Sequence, residues 1–118
     1  MIRALLLAGS MLLPASAHAA IITLAGDTVT LSGTIMFQDG EHFQTVTARA
    51  PAGARVVLDS LGGNVGAGLN IGREIHKRGF QTVVPANTEC ASMCGLIWLA
   101  GSTRWVGSWR RPDRLIVA

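Results

Sequence analysis

From residue 55 to residue 106 the hydrophobic period of the chain switches four times, and that alternation restricts the fold more than any other feature. Residues 55–59 are a short, nearly continuous apolar run, the pattern of a buried parallel strand. Over 64–78, Val65, Leu69, Ile71 and Ile75 fall on one broad helical face, with His76, Lys77 and Arg78 near its end and Gly79 as a stop. A strand at 80–84, a loop at 85–89, a helix at 93–100 and a strand at 103–106 follow. That last helix is apolar on every side, so it is expected to be buried. The alternation predicts an α/β fold whose parallel sheet is joined by right-handed crossovers. Upstream, 21–24 and 28–36 read as two strands broken at Ala25-Gly26-Asp27, the start of a hairpin. Asp39-Gly40 marks a turn or helix cap. Residues 41–49 are ambiguous, because Phe43 and Val46 keep helical spacing while Thr45-Val46-Thr47 favours a strand; helix is the expectation.

The first 19 residues stand apart. Arg3 supplies a positive start, 4–13 an apolar stretch too short to span a bilayer, and Ala17-His18-Ala19 the small-x-small pattern at which a signal peptidase cuts. Residues 1–19 are therefore expected to be a signal peptide cleaved after Ala19, leaving a secreted or periplasmic bacterial protein with no stable membrane anchor. Pro14, Ser16 and His18 interrupt the run that an N-terminal anchor would need. The remaining 99 residues suffice for one modest core and are too few for two domains.

The net charge of +3 is concentrated at the two ends. Between residues 20 and 107 six cations (Arg49, Arg55, Arg73, Lys77, Arg78, Arg104) balance six anions (Asp27, Asp39, Glu41, Asp59, Glu74, Glu89). Without a basic face or interleaved aromatics, nucleic acid is not an expected partner. Cys90 and Cys94 are the two cysteines. In an exported chain they form a disulfide or remain two small buried thiols, and the spacing leaves both open. Too few ligands lie near them for a metal site. Nor is an organic cofactor expected: Gly66-Ala67-Gly68 is followed by Gly72, one residue too far for a dinucleotide fingerprint and inside the helix, and the Gly-Lys-Ser/Thr of a phosphate loop is absent.

Two constellations could carry chemistry. In Leu58-Asp59-Ser60-Leu61-Gly62-Gly63-Asn64 a glycine pair stands where a buried strand hands over to a helix. Glycines there let unpaired backbone N–H groups approach a ligand oxygen, helped by the partial positive charge of the helix N-terminus; the plainer reading is a tight turn. In Glu89-Cys90-Ala91-Ser92-Met93-Cys94-Gly95 a serine opens the apolar helix. Its hydroxyl suits a nucleophile whose intermediate is held by backbone donors, and it equally suits ordinary N-capping.

Taken together, the glycine pair after a strand, a helix, another strand and then Ala91-Ser92-Met93 before an apolar helix ending in Ala100-Gly101 resemble the core of the ClpP/crotonase-like serine peptidases. The resemblance runs from about residue 28 to residue 107. It implies repeated β-β-α units around a parallel sheet, incomplete at the C-terminus. It also implies Ser92 as nucleophile, with the N–H groups of Gly63, Met93 and Gly62 forming an oxyanion hole. A peptide or protein substrate and a homo-oligomer are the partners it suggests. Leu61 replaces the proline common in that loop.

The departure that matters is the base. In the family the histidine that takes the serine proton, and the acid orienting it, follow the strand after the elbow helix; this sequence reaches Ala118 without them. His42 and His76 are expected to be solvated surface residues, so the chain as written is expected to be inactive. The segment 108–118 has no apolar period and no likeness to the family. Read one base out of frame with GC-rich codons, 107–114 gives Val-Pro-Gly-Ala-Gly-Arg-Ile-Gly, a sensible approach to a further strand, so a frameshift is the expectation for this tail. The alternative function is a non-catalytic binding or assembly module on the same scaffold, whose partner covers an incomplete sheet edge. Acyl-CoA chemistry is disfavoured, because export removes the chain from such substrates.

Overall fold

The two-residue turn at Gly26-Asp27 folds β1 (Ile21–Ala25) back on β2 (Thr28–Ser32) as an antiparallel hairpin, with Ala25 opposite Thr28. The structure, a computed structural model, describes residues 18–107. Most of the expected signal peptide and the whole 108–118 tail lie outside the described residues. After the hairpin come α1 (Asp39–Thr47), β3 (Arg55–Asp59), α2 (Val65–Arg78), β4 (Gln81–Val84), α3 (Met93–Leu99) and β5 (Arg104–Val106). The five strands form one sheet in the order β1-β2-β3-β4-β5, parallel from β2 onward. It is an α/β fold on a mixed sheet rather than a wholly parallel one, the hairpin supplying the antiparallel step. Two strands precede a helix only at β1-β2-α1; each later helix follows a single strand.

Because strand order follows chain order, every crossover steps the same way, and crossovers of one hand then place all three helices on one face. Helix α2 packs between α1 and α3. Burial alternates accordingly: Val29, Leu31, Val56 and Leu58 are fully enclosed, while Thr28, Thr30, Arg55 and Val57 on the other face are half-buried. The run at 55–59 is therefore not buried on both faces, as its near-continuous apolarity suggests, because helices cover only one. With Phe43, Ile71, Ile75, Phe80 and Ile97 these strand residues make a single core, each large side chain contributing about 1.5–3 kcal/mol of burial.

Helix α1 resolves the ambiguity at 41–49 in favour of helix. Phe43 and Thr47 stand one turn apart and are fully buried, and the Thr47 hydroxyl donates to the Phe43 carbonyl at 2.8 Å, so the strand preference of the threonines is overridden by packing. Helix α2 starts where Asn64 caps it, Oδ1 accepting from the Ala67 N–H at 2.9 Å, and stops at Gly79 in the left-handed conformation. Its buried stripe is Ala67, Gly68, Ile71 and Ile75, whereas Val65 and Leu69 are exposed. The expected face is thus rotated, because small residues let the helices approach closely: Gly40 of α1 fits against Ala67 and Asn70, and Gly68 faces Met93 of α3. Helix α3 buries Met93, Cys94 and Ile97 but leaves Leu96 and Leu99 exposed, so it is not enclosed on every side. Among the described residues no helix is long and apolar enough to cross a membrane.

Candidate functional site

The carboxyl ends of parallel strands are where an α/β sheet exposes its loops to ligands, and both glycine and serine motifs sit there. The end of β3 is held from two sides. Ser60 N–H donates to the Glu89 carbonyl at 2.7 Å and Ala91 N–H to the Ser60 carbonyl at 3.1 Å, which lays residues 89–91 alongside. On the opposite flank Ile35 N–H donates to the Gly62 carbonyl at 2.9 Å and Asn64 N–H to the Ile35 carbonyl at 2.8 Å. The glycine loop is thus clamped between the segment after β2 and the segment before α3.

Both glycines are dictated by this clamp. Gly62 has φ +97°, and a β-carbon on it would stand 2.9 Å from the Ala91 carbonyl oxygen, 3.0 Å from Met93 N and 3.0 Å from Ser92 Cβ. Gly63 has φ +145°, and a β-carbon there would run into the Ile35 carbonyl. Only glycine accepts such torsions and such closeness without strain. The two sequence motifs, thirty residues apart, therefore meet.

Ser92 occupies the sharp turn into α3 with φ 53° and ψ −127°. A non-glycine residue there costs of order 1–3 kcal/mol, a strain that concentrates at functional turns. The geometry is not that of a capping serine, since the Ser92 side chain makes no cap hydrogen bond and is exposed. Ser92 instead forms the sharp turn between the extended segment 89–91, which pairs with the end of β3, and the first turn of α3, with its side chain exposed. Cys90 and Cys94 bracket it in a disulfide with Cα atoms 5.1 Å apart, which settles the choice left open by their spacing. Cys94 is fully buried against the core, so the bridge fastens the extended segment before the elbow, which pairs with Ser60 through Cys90, to the helix.

Of the three N–H groups considered for an oxyanion, that of Gly62 is engaged by Ser60 Oγ at 3.1 Å. Those of Gly63 and Met93 donate no hydrogen bond among the described residues. Ser60 organises this partition. Buried to 3% exposure, it donates its hydroxyl to the Gly33 carbonyl at 2.6 Å while accepting from Gly62, which ties the loop to the end of β2. Sequence reasoning singled out the glycines and passed over this serine, although a hydroxyl two residues before Gly62 was the available signal.

The base is a different matter. Ser92 Oγ has no hydrogen-bond partner among the described residues. His42 is exposed on α1, beyond α2 from the elbow, and borders a hollow with Ala20 and Gln38. His76 is exposed on α2, eight residues past Gly68, which places it about 12 Å along the axis from the point where that helix meets Met93. Among the described residues no group of three or more His, Cys, Asp or Glu side chains is gathered to hold a metal ion. An apolar hollow of about 260 Å³ lies beside the elbow, bounded by Val84, Cys90, Gly95, Trp98 and Val106. No family model, curated protein or solved structure matches the chain.

Proposed function

We propose that this chain is an exported serine peptidase-like protein of the ClpP/crotonase-like type, with Ser92 as its nucleophile and the N–H groups of Gly63 and Met93 as oxyanion donors, and that it is inactive as written. The observation that carries this reading is the meeting of Gly62 with the strained Ser92 elbow, where a β-carbon on the glycine would stand 3.0 Å from both Ser92 Cβ and Met93 N. Unengaged donors beside a projecting hydroxyl are what stabilises the developing negative charge of an attacked carbonyl. With no histidine or carboxylate on its hydroxyl among the described residues, Ser92 stays protonated, and oxyanion stabilisation alone supports only slow turnover. The apolar hollow by Cys90 and Trp98 offers room for a substrate side chain.

A second reading, a non-catalytic binding or assembly module, is favoured by the exposed Val65, Leu69, Leu96 and Leu99 on α2 and α3 and by β5 standing at the sheet edge. Fluorophosphonate labelling separates the two. The chain as written is expected to show none, and a version read one base out of frame after residue 107 is expected to label at Ser92 and to lose the label in Ser92→Ala. Ser92-dependent hydrolysis of a peptide or ester by the chain as written overturns the claim of inactivity. Failure of both versions to label favours the module.

A further inference from the structure

Asp39 is the first residue of α1 and is completely enclosed. Its Oδ2 accepts the N–H of Met36 at 2.7 Å and the N–H of Ala20 at 3.0 Å, while Oδ1 has no partner and no access to solvent. The carboxylate has no cation within ion-pair distance among the described residues, the two ion pairs there being Arg55–Asp27 and Arg78–Glu74. Two backbone N–H bonds and a place in the first turn of α1 support this carboxylate, but an enclosed oxygen left without a donor is costly. The backbone nitrogen it holds belongs to Ala20, the residue immediately after the Ala17-His18-Ala19 cleavage pattern.

We infer that Asp39 is a built receptor for the α-ammonium group that cleavage after Ala19 creates at Ala20. The inference goes beyond the peptidase-like reading and rests only on removal of residues 1–19. Hydrolysis by a signal peptidase breaks the C–N bond of the Ala19–Ala20 peptide. The water oxygen joins the Ala19 carbonyl carbon and both water protons end on nitrogen, giving an Ala19 carboxylate and an Ala20 ammonium. That ammonium keeps the existing bond to Oδ2 and gains two further protons, one of which can serve the orphaned Oδ1. The added protons arrive where the carboxylate still has an oxygen without a donor. Ala20 is itself 6% exposed and the next residue begins β1, so the new terminus is held by strand pairing as well as by Asp39. Ala19 is half-buried and Ala20 is enclosed beside Asp39, so in the mature chain the new terminal charge sits against the carboxylate from the outset.

The test compares residues 20–118, beginning with a free Ala20 amine, against residues 19–118, in which Ala20 N is an amide again. The Ala20-initiated chain is expected to have an unfolding equilibrium constant lower by about tenfold or more, with the difference lost in Asp39→Asn. Equal stability of the two chains, or a difference that survives Asp39→Asn, overturns the receptor. Should the Asn variant not fold, titration of ¹⁵N-labelled Ala20 in the unsubstituted mature chain decides. Glu41 and His42 border the same hollow, and Asp39 is the group on the nitrogen. A paired ammonium has a folded pKa above the ordinary α-amino range near 8, so its stabilisation is full below that range and fades as pH rises through the raised value. An α-amine titrating in the ordinary range overturns the pairing. N-terminal sequencing of exported protein checks the premise separately: a start other than Ala20 overturns the maturation step, and fluorophosphonate labelling is untouched by any of these outcomes.

Discussion

Gly62 lies so close to Ser92 that a β-carbon on the glycine would stand 3.0 Å from that of the serine. Gly62→Ala therefore has to push the elbow away while also adopting φ +97°. A loss of about 2–4 kcal/mol is expected, from overpacking and positive φ together. Gly66→Ala, at a helical glycine whose nearest neighbour would be Asn64 Oδ1 at 3.5 Å, is the control and is expected to be neutral or to stabilise by up to about 1 kcal/mol. Urea unfolding of both variants reads the contrast.

Strain at Ser92 gives a prediction of opposite sign. Ser92→Gly relieves φ 53° at a position whose side chain makes no hydrogen bond among the described residues and whose carbonyl, which accepts from the Gly95 N–H at 2.9 Å, is kept, so it is expected to raise stability by about 1 kcal/mol. Ser92→Ala keeps the strain and is expected to change stability by less than about 0.5 kcal/mol. Equal effects of the two substitutions in thermal unfolding would show that the turn stores no strain.

Ser60 is the buried hinge of the glycine loop. Ser60→Ala removes its bond to the Gly33 carbonyl and leaves the Gly62 N–H enclosed without an acceptor, so a cost of about 1–3 kcal/mol is expected. Amide exchange at Gly62 should accelerate along with the drop in urea midpoint.

The Cys90–Cys94 disulfide closes a five-residue loop. Loop-closure entropy for so short a ring is worth about 2 kcal/mol. Reduction, or joint Cys90→Ala and Cys94→Ala replacement, is expected to lower stability by that amount, and peptide mapping without reductant should recover the linked pair.

How much of this the sequence discloses depends on the size of the side chains doing the work. The meeting of Gly62-Gly63 with Ser92, the Asn64 cap and the Gly79 stop are legible because each depends on a residue type with few alternatives. The buried face of α2 is less legible. Val65 and Leu69 dominate any reading of period, yet the close contacts with α1 and α3 belong to Ala67 and Gly68, whose smallness is their qualification and carries almost no hydrophobic signal. Leu96 and Leu99 mislead in the same way, since a seven-residue helix covering one side of a sheet needs only Met93, Cys94 and Ile97 inside. Asp39 reads locally as part of a turn or cap. Its bond to Ala20, nineteen residues away, is set by how the hairpin docks on α1 and could not be found from spacing.

The sheet is laid down in the order in which the chain is made. Each strand from β3 onward adds to a neighbour already present, and none has to be inserted between two earlier ones. A chain emerging lengthwise from its N-terminus can thus assemble from its leading end without waiting for distant partners, with the hairpin as template and the elbow among the last parts to settle.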